Sequence, residues 1–245
     1  PGRMRLVTAQ GQVGEPIQGL PAVDARGQGG LLDVVVSPGF AQDRMIYWSY
    51  SEPREGGNAT SVARGRLSDD GSRIESVQVV FRALPVYDGD KHFGSSLAFA
   101  PDGKLFVTLG ERSDKPMRPQ AQDLGSHMGK TIRINADGSV PSDNPFVGRQ
   151  GALPEIWSYG HRNIEAAAVD PRTGALWIAE MGPAGGDELI RAVLAVAALP
   201  GSALAWLMKL VGSRPRPDEH LPQITEIGPA YPSEHIATLT TVAIM

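Results

Sequence analysis

Cysteine is absent from the 245 residues, which excludes disulfides, thiolate metal sites and cysteine nucleophiles together. A bias of charge is missing too. With 23 basic against 27 acidic residues the formal net charge is −4, and no basic stripe marks a nucleic-acid partner. An apolar run long enough to cross a bilayer comfortably is also lacking. The uncharged stretch 192–208 has Pro200-Gly201 at its centre and is at the short limit for a span, so a helical hairpin is expected and no membrane span. There is no phosphate-cradling glycine loop, no zinc-ligand spacing and no serine-nucleophile elbow. Neither an initiator methionine nor a secretion signal opens the chain. It begins on "PGRMRLVTAQGQ", which reads as the middle of a strand pair, so the natural N-terminus is expected upstream.

What is abundant is turn chemistry. Spread evenly, 29 glycines and 20 prolines read as frequent turns between short strands, in a chain long enough to bury a substantial core. Three stretches share one layout: "GLLDVVVSPGFAQDRMIYWSY" (30–50), "SSLAFAPDGKLFVTLG" (95–110) and "AAAVDPRTGALWIAEMG" (166–182). Each has an apolar strand, a proline turn and a second apolar strand, with Pro38, Pro101 and Pro171 in the same place. Weaker strand pairs lie between them, at 61–85 and 130–160. A unit of about four strands that recurs in phase predicts an all-β chain of propeller blades, about three to four of them. A β-sandwich is the alternative, since its hairpins carry similar turns.

After Ile190 the text changes. "RAVLAVAALPGSALAWLMKLV" lacks period-two alternation and predicts helix, and the proline-rich stretch behind it predicts irregular chain. The expected division is therefore 1–190 as blades and 191–245 as a tail.

Several groups could carry chemistry. His92 stands in "GDKHFGSSLAF", where Gly94, Ser95 and Ser96 leave an open approach suited to a general base. The next strand ends in "TLGER", placing Glu111 where a hairpin neighbour could reach the histidine. A strand-capping histidine and a solvated glutamate paired with Arg112 are the plainer readings. "SYGHRN" sets Arg162 and Asn163 before the next strand, and Arg162 offers a planar donor fork for carboxylates or polarised carbonyls. An exposed turn fits that spacing as well. "EMGPAGGDEL" joins a Gly182-Pro183 turn to Asp187 and Glu188, hard oxygen donors of the kind calcium prefers, although an ordinary hairpin turn has the same composition.

Taken in order, "GQGGLLDVVVSPGF", "KHFGSSLAFAPDGKLFVTLGE", "AQDLGSHMGKTIRINADGSVPSDNPF", "EIWSYGHRN" and "EMGPAGGDEL" resemble the soluble quinoprotein sugar dehydrogenases, the pyrroloquinoline-quinone-dependent aldose sugar (glucose/sorbosone) dehydrogenases. The resemblance covers residues 1 to about 190. It implies a partial six-bladed β-propeller with pyrroloquinoline quinone and calcium at its axial mouth, in a periplasmic or secreted protein. It further implies His92 as the base for the anomeric hydroxyl of an aldose and Glu111 as the carboxylate orienting it. Gln28 falls beside cofactor and substrate, Arg162 and Asn163 at the reactive quinone carbonyl. Gly182 and Pro183 fall on backbone-carbonyl ligands of the cofactor calcium, and Asp187 and Glu188 on a structural calcium site. A sugar substrate and an electron acceptor are the implied partners.

The chain departs from the family at Ser96, where arginine is common, and at Glu165, where glutamine is usual. After residue 190 it lacks the aromatic "NYGWP"-like continuation and the later blades, as a shifted reading frame would produce. A non-catalytic propeller scaffold and a calcium-dependent lactonase-type hydrolase are the competing function classes.

Overall fold

A computed structural model of the chain describes residues 2–181 and the backbone of 187–192 and 241–243. Alternation along single strands decides its layering. In β4 (Met45–Arg54), Ile46, Trp48 and Tyr50 point to one face and Tyr47 to the other. In β8 (Leu105–Leu109), Leu105, Val107 and Leu109 share one core while Phe106 enters the next. Successive side chains in a strand leave on opposite faces, so such strands are buried on both sides and must lie in stacked sheets.

The first complete sheet runs β3 (Leu31–Val36), β4, β5 (Gly57–Leu67), β6 (Ile74–Arg82). The second runs β7 (Gly94–Phe99), β8, β9 (Lys130–Ile134), β10 (Ile156–Tyr159). A third contains β11 (Ile164–Val169), β12 (Leu176–Met181) and β13 (Asp187–Ala192). All three are antiparallel meanders. A smaller sheet joins β1 (Arg5–Val7) and β2 (Val13–Pro16) to β14 (Thr241–Ala243), which pairs with β1 in parallel. Pro38, Pro101 and Pro171 fall in the β3–β4, β7–β8 and β11–β12 connections, so the repeated motif is the first hairpin of each blade.

The first strands of the blades, β3, β7 and β11, lie side by side. Polar links tie the blades: the Leu97 N–H of β7 donates to Asp33 Oδ2 of β3 at 2.8 Å, and Thr108 Oγ1 of β8 donates to the Ile164 carbonyl of β11 at 3.2 Å. Burial pushes the Asp33 carboxyl up. Between the first two blades pack Tyr47, Val62, Leu97, Val107 and Ile132; between the second and third pack Ala98, Phe106, Trp157, Ile164 and Ile178. This is the radial stacking of a partial β-propeller.

The division expected at residue 190 falls inside β13, which continues through Arg191 and Ala192. The remainder of the expected helical or irregular tail lies outside the described residues, apart from β14. Among the described residues no helix is long and apolar enough to cross a membrane.

Candidate active site at the mouth of the blades

The topology brings the candidates together before any side chain is considered. Gln28 precedes β3 by three residues, His92 precedes β7 by two, and Arg162 and Asn163 immediately precede β11. Glu111 lies two residues past β8, which runs antiparallel to β7. All five therefore arrive at the same end of adjacent inner strands.

There they interlock. His92 Nδ1 lies 3.1 Å from Glu111 Oε1, and both residues are buried, at 4% and 2% exposure. A carboxylate oxygen accepts only, so Nδ1 carries the ring proton and the lone pair sits on Nε2. That Nε2 has no hydrogen-bond partner among the described residues. Gln28 Oε1 accepts the His92 backbone N–H at 2.7 Å, and the Gln28 N–H donates to the Asp90 carbonyl at 2.8 Å. Glu111 is itself anchored: its second oxygen accepts the Ser113 N–H, and its N–H donates to the Arg162 carbonyl at 2.8 Å. Arg162 Nε approaches Glu111 Oε1 at 3.6 Å.

The backbone here is strained. His92, Ser95, Arg112 and Ser113 all hold positive φ, at 49°, 93°, 71° and 69°. L-residues adopt that region at a cost that surrounding contacts must offset. Gly110 is required at the crossing, because a Cβ there would overlap the His92 carbonyl.

Arg112, the partner of Glu111 on the plainer reading of the sequence, instead clamps the loop that carries His92. Its Nε donates to the Lys91 carbonyl at 3.1 Å, and one terminal nitrogen donates to Asn58 Oδ1 at 2.6 Å and to the Gly89 carbonyl at 2.7 Å. The guanidinium also stacks on Phe93, 4.1 Å from the ring centroid. Burial pulls its pKa down to about 10. Lys130, a second unanticipated cation, is fully buried and donates to the carbonyls of Gln120, Ala121 and Met128 at 2.8, 3.0 and 2.7 Å. Burial lowers it to about 8.

Beside the His92–Glu111 pair opens a cleft of about 370 Å³ lined by Glu111, Arg118, Ala121, Gln122, Gly160, His161 and Arg162. Its wall is a 3₁₀ turn, Arg118–Gln122. The Arg162 side chain is 28% exposed there. Asn163 Oδ1 accepts the Gly94 N–H and its Nδ2 donates one hydrogen to Glu165, each at 3.1 Å. Glu165, the departure from the usual glutamine, thus fixes Asn163. Ser96 binds Thr108 Oγ1 through its N–H at 2.9 Å.

The β12–β13 connection starts at this mouth, since the Met181 N–H donates to the Asn163 carbonyl at 2.9 Å. Gly182 and Pro183 lie outside the described residues. Asp187 and Glu188 open β13 opposite Met181 and Glu180, and only their backbone is described. Among the described residues no three His, Asp or Glu side chains cluster closely enough to hold a metal.

The model of the Glucose / Sorbosone dehydrogenase family matches residues 1–194. The chain belongs to the glucose/sorbosone dehydrogenase family. Aldose sugar dehydrogenase YliI of Escherichia coli (strain K12) is 48% identical over 189 residues, which are 77% of this chain and 50% of that protein. The crystal structure of the soluble aldose sugar dehydrogenase from Escherichia coli in its apo form superposes with a TM-score of 0.73 at 46% identity, covering 77% of this chain and 54% of that one. The PQQ-bound aldose sugar dehydrogenase from Streptomyces coelicolor gives 0.62 at 31% identity, covering 74% and 50%. The chain spans about half the length of these curated relatives, 50% of the Escherichia coli protein and 49% of a Synechocystis one.

Proposed function

We propose that this chain carries the proton-accepting part of a quinone-dependent sugar dehydrogenase site, which oxidises the anomeric hydroxyl of an aldose to the lactone. One observation carries the reading: a buried imidazole whose Nδ1 is held by Glu111 and whose Nε2 has no hydrogen-bond partner among the described residues, with Glu111 itself lining a cleft that also presents Arg118 and Arg162.

The residues fit pyrroloquinoline quinone, the cofactor in the name of the Streptomyces relative. The group is planar and anionic, and the cleft presents Arg118 and Arg162. When bound, it supplies the two-electron acceptor that no side chain of this chain can replace. Arg162 and Asn163 are the residues assigned to its reactive carbonyl and Gln28 to its flank. The carbonyls of Gly182 and Pro183 are assigned to a calcium ion beside it, and Asp187 and Glu188 to a structural calcium.

His92 Nε2 takes the proton of the anomeric hydroxyl as the C1–H bond is oxidised. Glu111 stabilises the resulting imidazolium and keeps the ring from turning. Gln28 holds the peptide of His92, so the base stays placed although its φ is unfavourable. Arg162 presents positive charge to the cleft and would stabilise negative charge on a quinone held there. Periplasmic or secreted placement and an external electron acceptor complete the reading, both from family likeness.

The test uses purified protein with calcium and pyrroloquinoline quinone, assayed for dye reduction with a panel of aldoses and for lactone hydrolysis. Sugar-dependent reduction that disappears in His92→Ala supports the proposal. Hydrolysis without reduction would move the chain to the lactonase class, and silence in both assays to a scaffold.

A further inference from the structure

The chain contains a second histidine–glutamate pair that the chemistry above does not use. His161 Nδ1 lies 2.9 Å from Glu180 Oε2, and the two residues are 19 apart in sequence, the same separation as His92 and Glu111. Both pairs stand at the entrance to a first strand and the exit of the second strand of their blade. Both are buried.

They differ at the other ring nitrogen. His161 Nε2 is occupied by Ser158 Oγ at 2.8 Å, so this ring has no open lone pair for a substrate proton. A Ser–His–Glu order suggests acyl transfer, but the donors such chemistry requires are spent. The Gly160 N–H goes to the Ala121 carbonyl at 2.8 Å and the His161 N–H to the Gly129 carbonyl at 3.1 Å, while Tyr159 lies in the β9–β10 ladder.

The remaining oxygen of the pair shows its use. Glu180 Oε1 accepts the backbone N–H of Arg162, whose carbonyl accepts the Glu111 N–H. Arg162 is therefore gripped at its N–H by a glutamate of the third blade and at its carbonyl by the N–H of a glutamate of the second, while its side chain reaches the cleft.

We propose that Ser158, His161 and Glu180 form a positioning device for Arg162: the serine fixes the ring, the ring fixes the carboxylate, and the carboxylate fixes the peptide that aims the guanidinium. The purpose of that aim rests on the proposed function; the device itself does not.

The experiment follows backbone amide exchange in the isotopically labelled 245-residue chain, with Val107 in the buried β8 as the reference for global opening, and in parallel titrates pyrroloquinoline quinone by its fluorescence. In Glu180→Ala, Arg162 should exchange about tenfold faster while Val107 is unchanged. Glu180→Gln keeps an acceptor oxygen and should restore most of the protection. His161→Gln, which leaves the carboxylate in place but unsupported, should fall between and serves if Glu180→Ala does not fold. Glu180→Ala and Arg162→Ala should weaken quinone binding by similar factors, with little further loss in the double variant. Unchanged Arg162 exchange in Glu180→Ala, or equal acceleration at Val107, overturns the proposal. If the wild-type chain takes up no quinone, the reading of the site as a quinone site fails while the exchange measurement still decides this one.

Discussion

The pairs His92–Glu111 and His161–Glu180 are built from the same parts and end in different states. His92 is held at Nδ1 and open at Nε2; His161 is held at both nitrogens. The loop before β7 puts His92 at φ 49° among other left-handed residues, whereas His161 is not among the residues with positive φ. An imidazole with an unpartnered lone pair can accept a proton; one closed by a serine hydroxyl can only transmit position. The contrast teaches that pairing with a carboxylate does not make a base, and that the second ring nitrogen decides.

The sharpest way to break the comparison is to remove each ring. His92→Ala should lower sugar-dependent dye reduction by about 10²–10⁴-fold in kcat, the usual worth of a general base, with intact folding by circular dichroism. Comparable activity in that variant would show that the open nitrogen is not the base.

Next in size is the support of the open pair. Arg112→Met removes the donors to Lys91, Gly89 and Asn58 and leaves those acceptors buried, which should cost about 3 kcal/mol in a denaturant midpoint analysis. Arg112→Lys keeps the charge but not the fork and should recover only part of that. A neutral result for Arg112→Met would mean the loop holds His92 without its clamp.

The wall supporting the closed pair has its own pH signature. Lys130 binds the Ala121 carbonyl, which also receives the Gly160 N–H. Burial brings the lysine down to about 8, from an ordinary value near 10.5. Between those values the unfolded chain holds a proton that the folded chain has released. Stability from this group therefore rises with pH across the window, on the order of 1 kcal/mol per pH unit, and is flat below it. Thermal melts of wild type against Lys130→Met from pH 7 to 10 check this; parallel curves would refute it.

Smallest is Ser158→Ala, which opens His161 Nε2 and makes the closed pair resemble the other. It should cost about 1 kcal/mol of stability. Combined with His92→Ala it should restore no activity, because His161 precedes the first strand of the third blade whereas His92 precedes that of the second. Rescue would erase the distinction between the pairs.

Much of this was legible in the chain. The proline turns fell in the first hairpin of each blade, and the ordered motifs led to Gln28, His92, Glu111, Arg162 and Asn163, which meet at one mouth. Arg112 and Lys130 were not legible, because a lone arginine or lysine is generic until its acceptors are known. Those of Arg112 come from as far as Asn58, on a different sheet. His161 was visible in "SYGHRN", and the signal that could have found its partner was the repeated 19-residue step to a glutamate.

By itself the sequence determined strands, turns and their order, because alternation and proline–glycine chemistry act over a few residues and need no distant partner. Only the tertiary structure decided which histidine is open and which is closed. That depends on hydroxyls, carboxylates and peptide groups delivered from different strands and blades, and on left-handed loop conformations that local propensity disfavours and long-range hydrogen bonds enforce.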